Sequence, residues 1–208
     1  MAGKPTQLRE KQHLATTEAM LDGAQRAMIL HGFEKVTMQQ IAEATGCAPG
    51  TLYLYFKNKQ ELFEAITARH LKSVYESWLA QTAAIENPLE KVRMLLVGMF
   101  RESSENPDLF RMFLTAMPTR HRDVRQQLDR MAGGLHSRLE EMLTSYLRQA
   151  QEQGLVRRDV PAETLHEFMD AVAFNTMERA LFCEPRQDPQ EQLPMVWSLV
   201  RGGMVHQE

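Results

Sequence analysis

The chain has 208 residues, of which 43% are hydrophobic and 25% charged, and its formal net charge at pH 7 is only -3. This composition is ordinary for a globular protein of one or two domains, and the small charge gives no global sign of a nucleic-acid or membrane partner. The sequence lacks an apolar run of about 18 residues and an apolar signal-peptide core, and its two cysteines are far apart, which predicts a reduced, cytoplasmic protein.

Apolar residues recur at spacings of three and four almost throughout the sequence, whereas alternating β-branched runs are nearly absent. This pattern predicts an all-α fold. Glycine, proline and capping residues divide the chain into about nine helices. Gly133 and Gly134 predict a kink or break inside the third helix from the C-terminus. Four helices fall within residues 17–78, and five more are expected near 88–104, 107–116, 121–153, 161–183 and 189–205.

The N-terminal helices carry clear start and stop signals. Thr37 and Gln40 form a T-x-x-Q capping box that opens one helix, and Gly46 ends it. Pro49 suits the first position of the following short helix, and Asn58 caps the long helix after that. Two helices joined by a tight turn containing glycine are typical of a helix-turn-helix, whose second helix enters the major groove of DNA.

The second of these helices, within APGTLYLYFKNKQEL at residues 48–62, is too short to bury all of its large side chains. Leu52 and Phe56 are four residues apart and are expected to pack inward. The outward hydroxyl groups can then donate to phosphates, and two lysines beyond the helix can neutralise phosphate charge. The predicted DNA contacts of this segment are Thr51, Tyr53, Tyr55, Lys57 and Lys59.

The stretch GFEKVTMQQIAEATGCAPGTLYLYFKNKQELFEAI, residues 32–66, resembles the DNA-binding domain of the TetR family of transcriptional regulators. The resemblance implies that Thr37 is a phosphate-binding helix cap, and that two tyrosines and a lysine hold the DNA backbone and groove edges. It also places the residues that open the second helix close to the bases. The residues implied to contact DNA are Thr37, Ala48, Pro49, Gly50, Thr51, Tyr53, Tyr55 and Lys59.

The chain departs from the family pattern in two places, at Ala48 and at the pair Pro49 and Gly50. Ala48 stands where members often have serine or threonine, and it lacks a side-chain acceptor that stabilises a helix start by about 1 kcal/mol. Pro49 and Gly50 offer little hydrogen bonding where other members place lysine, arginine or glutamine. Base readout is therefore expected to depend on the backbone, on Thr51 and on DNA shape.

The resemblance further implies a helical effector-binding and dimerisation domain after the helix-turn-helix. We expect a flexible N-terminal arm over residues 1–13, the DNA-binding domain over 14–62, and the ligand-binding and dimerisation domain over 63–208.

Methionine and aromatic residues are concentrated in the middle and late helices. Such side chains form adaptable pockets for apolar ligands, although for any single residue a place in the core is the commoner outcome. The candidate effector-pocket residues are Phe100, Phe110, Phe113, Met117, Met142, Tyr146, Phe168 and Met169.

The last two helices carry small residues beside large apolar ones, which suits a four-helix bundle across a twofold axis. The resemblance implies that this pair of helices forms a dimer interface. The candidate interface residues are Phe174, Leu181, Val196, Trp197 and Val200.

These features predict a homodimeric, ligand-responsive repressor that binds double-stranded DNA at a near-palindromic operator and is released by a small, largely apolar effector. The alternative is a helical protein-interaction module whose helix-turn-helix no longer binds DNA. A third interpretation is an all-helical enzyme. It has no support from motifs, because the sequence contains no nucleotide-binding, nucleophile or H-x-x-x-H metal motif. We therefore expect no catalytic residues, no metal site, no cofactor and no membrane partner.

Overall fold

A computed structural model describes residues 4–116 and 129–205, with side chains from residue 11 onward. Within these ranges every regular element is a helix, which confirms the predicted all-α fold. The helices that lie wholly within them are α1 (Lys4–His31), α2 (Met38–Thr45), α3 (Pro49–Tyr55), α4 (Lys59–Thr82), α5 (Pro88–Glu105), α6 (Pro107–Ala116), α7 (Leu135–Glu152), α8 (Ala162–Phe182) and α9 (Pro189–Met204).

Local sequence signals explain where the helices begin. The Thr37 hydroxyl oxygen accepts a hydrogen bond from Gln40 N–H, while Gln40 Oε1 accepts one from Thr37 N–H at 2.9 Å, so the predicted capping box is present. Asn58 Oδ1 caps α4 by accepting from Glu61 N–H at 2.9 Å. Proline stands in the first turn of α3, α5 and α9, where its missing N–H costs no helical hydrogen bond.

Two boundaries differ from the sequence prediction. Helix α1 begins at Lys4, so most of the expected flexible arm, residues 1–13, is helical. The helix expected over 121–153 is interrupted at Gly133 and Gly134, which have φ values of +58° and +76°, and α7 starts only after this pair. Because a positive φ strains every residue except glycine, the pair fixes the break that the sequence had suggested. The beginning of that expected helix lies outside the described residues.

Two hydrophobic cores organise the described chain. The reader core joins α1, α2, α3 and the beginning of α4, and Met28 and Ile41 are fully buried in it. The body core joins α5, α7, α8 and α9 around residues such as the fully buried Phe100. Helix α6 contributes Leu109 and Met112, which are 7% and 5% exposed, to the reader core. A helix from the second half of the chain thus completes the packing of the first.

Helix α4 connects the two cores. Phe63 is buried in the reader core, and Trp78 packs against the body core. Between them, the Arg69 guanidinium contacts carboxylate oxygens of Glu18 at 2.9 Å and Asp22 at 2.7 Å, which ties α4 to α1. Both carboxylates are more than half exposed, so water screens these ion pairs and each stabilises the fold by less than about 1 kcal/mol.

None of the described helices is long and apolar enough to cross a membrane.

Candidate nucleic-acid interface and ligand cavity

The turn between α2 and α3 is fixed by backbone geometry at Gly46. This residue has φ +71°, and its N–H points to the carbonyl oxygens of Ala42 and Glu43. Cys47 N–H donates to Ala42 O at 3.2 Å, and the Thr45 hydroxyl lies 2.9 Å from Cys47 Sγ. A side chain at position 46 would be strained by the positive φ, so glycine here permits the tight turn that sets the angle of α3.

Helix α3 has one buried and one exposed face. Leu52 and Phe56 are 0% and 8% exposed and pack in the reader core, which confirms their inward orientation. Tyr53 and Leu54 are 53% and 84% exposed, and residues 48–51 are exposed as well. The exposed face thus presents a phenol hydroxyl beside an aliphatic side chain. Phosphate oxygens and thymine methyl groups, which border the major groove of DNA, are suitable partners for these two groups.

The starts of α2 and α3 differ in their capping. Thr37 is exposed at the start of α2 and completes the capping box there. Ala48 occupies the equivalent position of α3 and makes no side-chain capping bond, as expected for alanine.

Tyr55 has a partner within the chain. Its ring is half-buried and stacks on the imidazole of His13 in α1, with ring centroids 5.0 Å apart and planes inclined by 28°. The stacked face of the ring is therefore covered by α1. Contact of Tyr55 with DNA, which stays a prediction, would use the remainder of the side chain.

The two lysines that the sequence places on phosphates have different surroundings. The Lys57 side chain is 85% exposed, with Nζ 3.5 Å from Glu61 Oε1. Lys59 Nζ instead donates to three backbone carbonyl oxygens of the loop between α1 and α2, at Phe33 (2.9 Å), Glu34 (2.6 Å) and Val36 (3.4 Å). An ammonium group has three N–H donors, so these carbonyls use all of them. The geometry gives Lys59 the role of holding the loop that leads into α2.

Gly23 belongs to none of the sequence motifs, and its role is visible only in the packing of α1 on α2. A Cβ atom there would lie 2.6 Å from Thr45 Cγ2, 2.7 Å from Thr45 Cα and 2.9 Å from Ala44 O. Glycine therefore allows α1 to pack directly on the last turn of α2. The available signal was its place within the helical pattern of Met20, Leu21 and Ala24. Glycine inside a helix costs about 1 kcal/mol against alanine and usually has a packing reason.

The predicted effector-pocket residues do not line one common cavity. Phe100 and Met169 are 0% and 1% exposed in the body core, whereas Phe113 packs against the reader core. Phe168 is 43% exposed, and Met117 lies outside the described residues. The members that remain, Met142, Tyr146 and Phe110, are partly buried beside the body core.

A cavity of about 110 Å³ does lie between α4, α5 and the start of α6, and Phe110 is the one predicted pocket residue that lines it. This volume is well below the roughly 300–1,000 Å³ of pockets for drug-sized ligands. Among its other lining residues are Ser77, Trp78, Gln81, Gly98 and Arg101. The polar residues of this set carry no motif, and the sequence offered no signal for them.

His70 lies near this cavity, on α4. Its ring packs at right angles to Phe110 and tilts against Phe113, and its Nδ1 is 3.9 Å from Glu102 Oε1. Burial, reinforced by the neighbouring Arg69 charge, lowers the pKa of His70 to about 4. The imidazole is therefore neutral at physiological pH.

Among the described residues, no group of histidine, cysteine and acidic side chains could hold a metal ion.

The candidate dimer residues separate into buried and exposed sets. Leu181, Val196 and Val200 are 4%, 0% and 0% exposed within the single chain, so they present no surface to a second copy. This differs from the prediction, because their helical faces point into the body of the chain itself. Trp197 is partly buried against the body core, and Phe174 is 37% exposed. The large apolar residues exposed on α8 and α9 are Phe168, Phe174, Phe182, Met195 and Leu199.

Two segments of the chain match models of known protein families. Residues 20–66 match the family described as bacterial regulatory proteins, tetR family. Residues 88–184 match the tetracyclin repressor-like C-terminal domain. The matches cover the helix-turn-helix and most of the second half.

Among curated proteins, the chain is 27% identical over 194 residues to an HTH-type transcriptional repressor of Mycobacterium tuberculosis, covering 92% of this chain and 96% of the relative. It is also 27% identical over 194 residues to the HTH-type transcriptional repressor AcnR of Corynebacterium efficiens, covering 88% of this chain and 92% of the relative.

Solved structures share the fold at low identity. The fatty acid degradation regulator FadR from Bacillus halodurans superposes with a TM-score of 0.78 at 18% identity, covering 92% of this chain and 97% of that one. FadR from Bacillus subtilis in complex with stearoyl-CoA gives a TM-score of 0.78 at 17% identity, covering 91% and 99%. A regulator from Saccharomonospora viridis in complex with choline gives 0.75 at 16% identity, covering 92% and 98%.

Proposed function

The chain belongs to the TetR family of bacterial transcriptional regulators, and on that premise we propose that it is a homodimeric repressor released from its operator by a small molecule. The observation that carries the proposal is the exposed face of α3. Tyr53 and Leu54 project from a helix whose opposite face is fully engaged in the reader core. A short helix held in this way by a helix-turn-helix is suited to enter the major groove.

Recognition of DNA would combine several kinds of contact. The hydroxyls of Thr51 and Tyr53 are available to donate to phosphate oxygens, whereas the Thr37 hydroxyl already donates to Gln40 Oε1 at 3.0 Å. Lys57 adds an exposed positive charge. Leu54 would contact thymine methyl groups, which provides a preference for A·T pairs at its position. Because residues 48–50 carry little hydrogen-bonding chemistry, part of the specificity would come from DNA shape.

Dimerisation would bring two such helices onto one operator. The support is the set of large apolar side chains that α8 and α9 expose, which a second copy related by a twofold axis would cover. Two reading helices then contact half-sites one helical turn apart, roughly 34–36 Å, which requires a near-palindromic sequence.

Release by an effector is supported by the ligands of structural neighbours. The FadR neighbour of Bacillus subtilis is in complex with stearoyl-CoA, and another neighbour is in complex with choline. These two ligands differ widely, so they support a ligand-binding second domain without defining the ligand of this chain. An effector that favours a dimer with wrongly spaced reading helices would shift the population away from DNA.

The test is selection of genomic DNA fragments by the purified protein, followed by anisotropy titration of the enriched sequence. We expect Tyr53→Ala to weaken binding by at least about tenfold, since loss of an exposed groove contact typically costs 1–3 kcal/mol. The matched control is Leu79→Ala, an exposed apolar residue 42% accessible at the far end of α4, which should bind as the wild type does. Failure to enrich any sequence, or equal affinities for Tyr53→Ala and wild type, would contradict the proposal.

A further inference from the structure

We propose that the cavity between α4, α5 and the start of α6 binds a small carboxylic acid that also carries a hydrogen-bond donor, namely a hydroxy acid or an amino acid. The effect of this ligand on DNA rests on the proposed function, whereas its binding does not. This ligand is a compact polar molecule, in place of the largely apolar effector that the sequence predicts.

The carboxylate partner is Arg101. Among the described residues, its guanidinium makes one hydrogen bond, from Nη2 to Gln81 Oε1 at 3.3 Å, and has no carboxylate partner. A guanidinium has five N–H donors in a planar fork, so most of them remain for a ligand. Arg101 is only partly exposed and lines the cavity wall. A half-buried arginine that forms no ion pair with a described carboxylate is well suited to bind the carboxylate of a ligand.

The adjoining polar groups add further donors. Gln81 Nε2 donates to Ser77 Oγ at 2.7 Å, so the Ser77 hydroxyl proton is available for another acceptor. The Trp78 indole nitrogen lies against Gly98, and both residues line the cavity. A cavity wall rich in N–H and O–H donors favours a ligand rich in oxygen acceptors.

Glu102 explains why the ligand should also carry a donor. It lines the same cavity, and its Oε1 already accepts from Asn106 Nδ2 at 2.9 Å. The imidazole of His70 beside it is neutral, so the negative charge of Glu102 has no cationic partner there. A ligand with a carboxylate alone would be repelled by Glu102, whereas a hydroxyl or ammonium group could donate to it. One cation and one anion facing a single cavity thus select an acid with an attached donor.

The cavity volume limits the size of the ligand. An engineered apolar cavity of about 150 Å³ in another protein accommodates benzene, which has six non-hydrogen atoms, so a cavity of about 110 Å³ suits a molecule of at most about that size. Val74, Met99 and Phe110 supply apolar surface for its carbon skeleton. Because the cavity is partly open to solvent, a longer acid could extend outward from the same polar end.

The position of α6 connects this cavity to the reading helices. Phe110 lines the cavity, while the adjacent Leu109 and Met112 are buried in the reader core. A ligand that displaces Phe110 therefore acts on a helix that packs with α1 and α4. This is the route by which occupancy of the cavity would change operator affinity.

Four probes with three-carbon skeletons test the inference: lactate, alanine, propionate and propane-1,2-diol, at constant ionic strength. The chain has two tryptophans, so Trp197→Phe leaves Trp78, in the cavity wall, as the only indole reporter. We expect saturable changes in fluorescence with lactate or alanine, at dissociation constants at least about tenfold below those of propionate and the diol. No saturable change with either acid, or propionate binding as tightly as both, would overturn the proposal.

Arg101→Gln and Arg93→Gln provide the matched pair of variants. Both arginines lie on α5, but Arg93 is paired with Glu90 at 2.8 Å and does not line the cavity. Arg101→Gln should weaken lactate or alanine binding at least tenfold, with Arg93→Gln unchanged. Equal binding by the two variants would overturn the assignment of Arg101. Binding that leaves operator affinity unchanged would overturn the effector role alone, and protein that binds no operator at all would refute the proposed function alone.

Discussion

Replacing Lys59 by methionine separates two roles for this residue. Methionine keeps the aliphatic part of the side chain and removes the ammonium group that donates to the carbonyl oxygens of Phe33, Glu34 and Val36. Two of these bonds are partly buried, so their carbonyls would lose donors that water only partly replaces. At about 1 kcal/mol for each of the two, the free energy of unfolding should fall by about 2 kcal/mol. For a chain of this size the midpoint of thermal unfolding should fall by about 4–8 °C.

The effect of Lys59→Met on DNA binding should differ from that of Lys57→Met. Each lysine that neutralises one phosphate contributes about 0.9 to the slope of the logarithm of affinity against the logarithm of salt concentration. Because the Lys59 ammonium is occupied by the loop, its replacement should weaken binding without changing this slope. The Lys57 side chain is 85% exposed, so Lys57→Met should reduce the slope by about one.

The assay is anisotropy titration of the selected operator at four or more salt concentrations, with thermal unfolding followed by circular dichroism. A Lys59→Met protein with unchanged thermal midpoint and a slope reduced by one would refute the loop-holding role. That result would support the contact between Lys59 and a phosphate that the sequence alone predicts.

Three further substitutions test the packing, the protonation and the assembly. Gly23→Ala should lower the free energy of unfolding by about 1–3 kcal/mol in a denaturant titration, since its Cβ would lie within 2.9 Å of backbone atoms. The control is Gly202→Ala, which should not destabilise the protein because there is open space around its Cβ. His70→Phe should remove a loss of stability between pH 6.5 and 4. The folded-state pKa of His70, about 4, lies below the ordinary value of 6.5, so the unfolded chain takes up a proton first. Stability is therefore complete above pH 6.5 and falls by up to about 1.4 kcal/mol per pH unit below it. Leu199→Asp, at a position 57% exposed on α9, should yield a monomer in sedimentation, while Leu79→Asp should stay dimeric.

Each of the three has an outcome that contradicts it. Wild-type stability in Gly23→Ala would mean that α1 and α2 can separate without cost. Parallel pH profiles for His70→Phe and wild type would show that this imidazole is protonated as readily in the folded chain as in the unfolded one. An intact Leu199→Asp dimer would place the interface on another surface.

The sequence predicted the elements because their signals are local. The capping box at Thr37, the left-handed turn at Gly46 and the break at Gly133 and Gly134 each depend on a few neighbouring residues. The inward orientation of Leu52 likewise follows from helical spacing within one short segment. The beginning of α1 was misjudged because a polar, charged N-terminal segment has no apolar periodicity to indicate a helix.

The site was harder to predict because it depends on contacts between distant segments. Lys59 reaches carbonyl groups about 25 residues earlier in the chain, as its bond to Glu34 O illustrates. Helical spacing placed Val196 in an apolar stripe, and such a stripe can face either the chain's own core or a dimer interface. The stripe alone could not show that Val196 is buried within the single chain. The cavity is formed by three helices, and its charged residue Arg101 belongs to no motif. Only packing reveals such neighbours.

The most direct test of the account is the ratio of affinities for the selected operator and for a scrambled duplex of the same length and base composition. Both are measured by anisotropy with the wild-type protein at a single physiological salt concentration. Operator recognition by α3 predicts an affinity ratio of at least about 10³, the lower end for sequence-specific regulators. A ratio near one would leave only electrostatic binding to phosphates, and would contradict operator recognition by the exposed face of α3.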